Sequence, residues 1–203
     1  MVPVRVTLLR NIKKSLTEIP NLPGVYKWWC DKNTLLDFIN QISAFSQITD
    51  IEVNTGDDIL INQVEHCRFD AYEKELYCFY VGKADSSQGL RDRLISNHIK
   101  GNVNGSTLRK SIYSLKYGYY DSHNLQHKYN DKNYVDGILD LLYVGWQDYL
   151  QADVLSNEIR EINSYLRIFN IDTGDLNDSV YLFDVNYRHN VLNNLSESRK
   201  KRK

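Results

Sequence analysis

The sequence predicts an α+β domain with a small, mainly antiparallel sheet. Short aromatic and β-branched runs are interspersed with amphipathic stretches, their order contains no regular strand-helix-strand repeat, and glycine and proline mark the turns between them. The hydrophobic and charged fractions, 42% and 25%, are those of an ordinary globular chain, and 203 residues can bury a core without disulfides or structural metal.

Each element has its own signal. GVYKWW at 24–29 follows the turn residues Asn21 to Pro23 and reads as the first strand. Over 34–46, Leu35, Phe38, Ile39, Ile42 and Phe45 recur at helical spacing and predict an amphipathic helix. Apolar runs around Ile51 and Leu60, split by Gly56 and Asp57, suggest a hairpin. LYCFYVG at 76–82 is a buried strand by composition, and Leu90, Leu94 and Ile95 give the following helix an apolar side. Ser106 is placed to cap a further helix, in which Leu108, Ile112 and Leu115 form the stripe and Arg109, Lys110 and Lys116 lie off it. ILDLLYVGW at 138–146 reads as the third strand, 152–169 as a helix with Leu155, Ile159, Ile162 and Leu166 inward, and VYLFDV at 180–185 as a short strand. The expected organisation is one domain over 1–185, with an inserted helix and hairpin at about 31–75 between the first two strands, and a basic tail over 186–203.

Composition removes several functional classes. No apolar run is long enough to span a bilayer, and the amino terminus lacks a secretory signal, so a cytoplasmic protein without a membrane partner is expected. Cys30, Cys67 and Cys78 are odd in number and form no CxxC pattern, which argues against a disulfide framework or zinc site. Net charge is −1, but the run Arg199 to Lys203 holds five of the 25 basic residues, leaving an acidic body and a separate positive arm.

The chemistry is carried by a distributed pattern. GVY at 24–26 is followed by YVG at 80–82 with Lys83, then by LRDRL at 90–94, and finally by Glu158 with Asn170 twelve residues later. In this order the pattern resembles the GIY-YIG nuclease family. That resemblance implies a three-stranded sheet with surrounding helices, and hydrolysis of phosphodiesters by two tyrosines, an arginine and a metal-binding glutamate. It covers roughly residues 20–172, with about 40 of them inserted. A second YVG at 143–145 runs into WQDYL with no cation, so only the first copy offers positive charge to a phosphate.

Phosphodiester hydrolysis explains these residue types. The attacking water must lose a proton, and the pentavalent transition state gathers charge on its nonbridging oxygens. A tyrosine hydroxyl near a cation can fall below its free pKa of about 10 and accept or relay that proton, which makes Tyr26 and Tyr80 candidates. Arg93 offers permanently charged planar donors, with Arg91 as a supporting cation, and Lys83 serves as a second cation or as a base. Glu158 would hold Mg²⁺, or Mn²⁺, since such ions keep several waters and need few protein ligands. With Leu155 set at zero on a helical wheel, Glu158 falls at roughly 300° beside the apolar stripe and Glu161 at roughly 240°, further toward solvent. By resemblance Asn170 helps fix the site.

Departures from the family pattern shape the remaining expectations. Many members carry His or Tyr four residues beyond the arginine; here that position is Asn97, with His98 one further on and about 140° from Arg93 around an ideal helix. His98 contacts phosphate if the helix bends and is otherwise a partly exposed surface residue. Tyr26 and Tyr80 are 54 residues apart, and ADSSQG intervenes between Lys83 and Leu90. Arg109, Lys110 and Lys116 are expected to meet the duplex backbone. The resulting expectation is a metal-dependent endonuclease acting on DNA, with RNA left open, of restriction or defence type given the unusual insertion and no evident additional domain. Homo-oligomerisation is compatible with the sequence. A binding module on a nuclease scaffold, or a repair nuclease, is the alternative.

Overall fold

In the computed structural model, residues 1–11, 18–48, 68–71, 74–102, 105–109, 111–112 and 132–164 are described. Along the chain lie β1 (Val4–Arg5), α1 (Val6–Asn11), β2 (Gly24–Cys30), α2 (Lys32–Ile48), β3 (Arg68–Ala71) and β4 (Lys74–Ala84). There follow α3 (Gly89–Arg91), which runs directly into a π-helical stretch (Asp92–Ile99), then α4 (Lys132–Leu139), β5 (Tyr143–Asp148), a 3₁₀ turn (Gln151–Asp153) and α5 (Val154–Asn163).

The α+β class is as expected, with one sheet in the order β1-β5-β2-β4-β3 and every pairing antiparallel. The three strands expected from the motifs form its centre, β5-β2-β4, and two short strands, β1 and β3, extend it on either side. A two-residue pairing such as β1 is too short to leave a periodic signal in sequence. ILDLLYVGW divides differently from the expectation: Ile138 and Leu139 end α4, and the strand begins at Tyr143. A short apolar run does not distinguish a buried helix end from a strand. The inserted helix is present as α2, with Leu35 and Phe38 buried. The expected hairpin around Ile51 and Leu60, the strand at 180–185 and the basic tail lie outside the described residues.

β2 is buried along its whole length because it is covered on both faces. Strand alternation sends Tyr26 and Trp28 to one side, against Leu90, Leu94, Ile99 and α4 residues Val135 and Leu139. Val25 and Trp29 go to the other side, against Val154 and Ile162 of α5. The sheet is thus sandwiched between two layers.

The duplicated YVG has a steric explanation in this arrangement. Tyr26 pairs with Gly82, and a Cβ at Gly82 would sit 2.5 Å from the Tyr26 ring. On the opposite face, a Cβ at Gly145 would sit 3.0 Å from the Trp29 ring. Each YVG glycine lets an aromatic ring of β2 lie flat across a neighbouring strand.

Candidate active site

The two motif tyrosines meet because of strand register. Tyr26 faces Gly82 and Trp28 faces Tyr80, so Tyr26 and Tyr80 are diagonal neighbours on one sheet face, with ring centroids 6.4 Å apart. The next groups come from the helix after β4. Its entry is stitched to the turn before β2: Leu90 N–H donates to Leu22 O, Arg91 N–H to Pro20 O, and Arg91 Nε to Ile19 O. Arg93 then reaches down to Tyr26, Nε donating to the hydroxyl oxygen at 3.4 Å.

His98 is on the same side as Arg93, which an ideal α-helix would not allow. In a π-helix the backbone bond spans five residues, as in Lys100 N–H to Ile95 O at 2.8 Å, and residues five apart are brought over one another. His98 Nε2 therefore lies 2.7 Å from Tyr26 Oη, its ring 5.1 Å from that of Tyr26 and 6.2 Å from that of Tyr80. The expectation of a surface or phosphate-contacting histidine gives way here. His98 has no solvent exposure, and its ring lies between the Tyr26 and Ser106 hydroxyls. Asn97 instead points outward to Gln88 at 3.3 Å.

From the other face of the sheet, Lys83, cross-strand partner of Val25, meets Glu158 of α5 with Nζ 3.2 Å from the carboxylate. Glu158 acts electrostatically on both tyrosines and is itself acted on by Arg93. Glu161 is not the solvent-facing charge expected from the wheel. Its side chain is as sheltered as that of Glu158, both 16% exposed, and it pairs with Lys27 of β2. The reference residue was at fault: Leu155 is 54% exposed, and the buried positions are Val154 and Ile162. Taking Val154 as zero, Ile162 lies at roughly 80°, Glu158 at roughly 40° and Glu161 at roughly 340°, so both carboxylates face the sheet.

With this geometry in view, comparison with known families gives one result: the model of the GIY-YIG catalytic domain matches residues 24–200. The chain belongs to the GIY-YIG family. No curated protein and no solved structure matches it.

Burial dominates the electrostatics of this GIY-YIG site. Desolvation raises the Tyr26 hydroxyl above its ordinary pKa, with the Arg93 guanidinium opposing, and raises Tyr80 well above, reinforced by Tyr26. The expectation of a tyrosine pushed below its free value by a cation is thus reversed in the resting protein: one half-buried guanidinium does not offset complete burial. His98 is held down at about 3, first by burial and then by the Arg93 and Arg109 guanidinium groups, so it is neutral at physiological pH. Glu158 is raised by burial, opposed by Lys83 and Arg93.

Other expected site residues fall elsewhere in the GIY-YIG fold. Arg91 is exposed beside the entry turn. Arg109 does not face the solvent as a phosphate contact: it is fully buried, donating to the carbonyls of His98 and Ile99 and pairing with Asp136 at 2.6 Å. Lys110, Lys116 and Asn170 lie outside the described residues. Two further contributors had only indirect sequence signals. Ser106, readable as a helix cap, also sits 2.6 Å from His98 Nδ1, and Lys27 hides a charge in a strand that reads as aromatic. Among the described residues, no helix is long and apolar enough to cross a membrane.

Glu158 is a chemically suitable holder for a divalent ion. Among the described residues there is no cluster of three acidic, histidine or cysteine ligands. The half-buried carboxylate, raised in pKa by desolvation, is the group that such a cation would relieve.

Proposed function

We propose that this domain is an endonuclease that hydrolyses DNA phosphodiester bonds with the help of Mg²⁺ or Mn²⁺, and that it serves restriction or defence. The observation that carries the reading is the convergence of Arg93 on the Tyr26 hydroxyl, in a site whose tyrosines also feel Glu158.

Each side chain has a task in that reaction. Arg93, permanently charged, holds the scissile phosphate and neutralises the charge that grows on its nonbridging oxygens. Tyr26, beside Arg93, takes up or relays the proton lost by the attacking water. Tyr80 packs against Tyr26 and orients it. Glu158 is the residue that would hold the metal, and a bound divalent ion would supply Lewis-acid stabilisation of the phosphoryl oxygens. Lys83 balances the Glu158 charge and adds a cation close to the phosphate. Arg91, exposed at the helix entry, is suited to positioning a neighbouring phosphate.

The restriction or defence assignment rests on the long insertion between the two tyrosine strands, which gives the fold an additional surface for choosing a substrate. The test is direct. The purified chain is incubated with plasmid, linear duplex and RNA in the presence of Mg²⁺, Mn²⁺ or EDTA, and the ends of any product are sequenced. Cleavage of duplex DNA that needs the metal and is lost in Arg93→Ala and Glu158→Ala supports the reading. No cleavage of any nucleic acid with either metal, or activity that survives both substitutions, would sink it.

A further inference from the structure

The hydrogen bonds around His98 have a direction that the distances alone do not state. Ser106 is buried, and its Oγ accepts the backbone N–H of Arg109 at 3.1 Å. That bond uses one oxygen lone pair and leaves the hydroxyl hydrogen in need of an acceptor, since a buried polar hydrogen without one is costly. Among the described residues, the other partner of Ser106 Oγ is His98 Nδ1, 2.6 Å away.

We propose that Ser106 is a positioning residue of the active site, donating to His98 Nδ1 and so fixing the imidazole as the Nε2–H tautomer, which makes His98 a hydrogen-bond donor to the Tyr26 oxygen. The chain then runs one way: Arg109 N–H to Ser106 Oγ, Ser106 O–H to His98 Nδ1, and His98 Nε2–H to Tyr26 Oη. Arg93 Nε–H donates to the same oxygen from the side. The Tyr26 oxygen thus receives two donors, one charged and one neutral, while its own hydroxyl hydrogen is left to the Tyr80 oxygen, with which Tyr26 is also hydrogen-bonded, and the oxygen sits in a pocket arranged for negative charge. In this arrangement His98 does not take the tyrosine proton; it stabilises the phenolate once that proton has gone to solvent or substrate. A neutral imidazole between two guanidinium groups suits this role, because a second proton on it would be repelled by both Arg93 and Arg109.

The catalytic meaning of this arrangement rests on the nuclease reading; the tautomer itself does not. Ring nitrogens of the ¹⁵N-labelled full chain can be read by long-range ¹H–¹⁵N correlation at neutral pH, with the His98 signals identified by their loss in His98→Gln. The expected result is a protonated Nε2 and an unprotonated Nδ1 in the parent protein. Ser106→Ala should redistribute the ring toward the Nδ1–H tautomer and reduce cleavage by about tenfold, the worth of one hydrogen bond. Ser106→Thr, which keeps the donor, should restore both. An Nδ1–H tautomer in the parent protein overturns the proposal even if Ser106→Ala fails to fold, and so does a folded Ser106→Ala whose tautomer is unchanged. If the parent tautomer is as expected but no nucleic acid is cleaved, the nuclease reading fails while the assigned direction of the hydrogen-bond chain stands.

Discussion

Tyr26 and Gly82 are direct cross-strand partners, and the tyrosine ring occupies the space in which a side chain at 82 would begin. The YVG glycine is therefore part of how the motif tyrosine is aimed. Gly82→Ala would place a methyl carbon 2.5 Å from the ring, in a site closed on its other side by His98. The ring must swing, breaking its contacts with both Arg93 and His98.

Gly82→Ala should cost about 1–3 kcal/mol in urea unfolding, as overpacking does, and should abolish detectable cleavage in protein that remains folded. Gly137→Ala is the control. That glycine lies inside α4 with nothing within 4 Å of its added Cβ, so alanine should leave stability unchanged or raise it by about 0.5–1 kcal/mol.

Glu158 and Lys83 lead to a second prediction. The carboxylate is desolvated, and its partner is partly solvent-exposed, 40%, so the pair contributes little to folding. Glu158→Gln should unfold within about 1 kcal/mol of the parent, or later, while metal-dependent cleavage falls by about a thousandfold or more. Thermal unfolding and plasmid nicking, measured on the same preparation, check both halves. A large loss of stability would make Glu158 a structural residue.

The central strands and the motif tyrosines were legible in the sequence because composition and register leave a local mark: aromatic runs bounded by glycine and proline. Glu158 borders the sheet as its position beside the apolar stripe predicts, although the wheel takes as reference Leu155, which the fold leaves exposed. The side of a helix that faces the core depends on what it packs against, and Glu161 was misread for that reason. His98 and Arg109 were misplaced through a different cause. A π-helical stretch adds one residue per turn, and nothing in LRDRLISNHIK announces it, so an α-helical wheel turns His98 away from the site that it enters. Arg109 looked like a surface cation because isolated charge is usually solvated; its burial depends on Asp136 and on two carbonyls at the end of the π-helical stretch.

His98 makes a third prediction, with a definite sign. Its folded pKa, about 3, lies below its ordinary value of 6.5. Between those values the unfolded chain binds a proton that the folded one refuses, so stability falls as pH drops from about 6.5 toward 3, by up to about 1.4 kcal/mol per pH unit. Above about 6.5 the effect vanishes. Among the described residues, the groups around the ring are Tyr26, Tyr80, Trp28, Ser106 and the two arginines, and none of these is a carboxylate that could rescue the imidazolium. Urea titrations of the parent and of His98→Gln across this range should show a steeper acid loss in the parent. Parallel curves would mean that the imidazole is not held neutral.

Arg109 separates a surface role from an interior one. As a phosphate contact, Arg109→Ala would fold normally and reduce the salt dependence of DNA binding by about one counterion. In this fold the guanidinium is enclosed, braces the carbonyls of His98 and Ile99, and meets Asp136, which also pairs with Arg10. Removing it leaves the Ile99 carbonyl with Arg10 but takes the Arg109 donor from the His98 carbonyl and from the Asp136 carboxylate, which should cost about 3 kcal/mol or more in urea unfolding. At low temperature, where the variant remains folded, the salt slope of DNA binding should match that of the parent, because no charge has left the surface. Cleavage should still decline, since the Arg109 side chain steadies the backbone of His98, and through it the hydrogen bond to Tyr26.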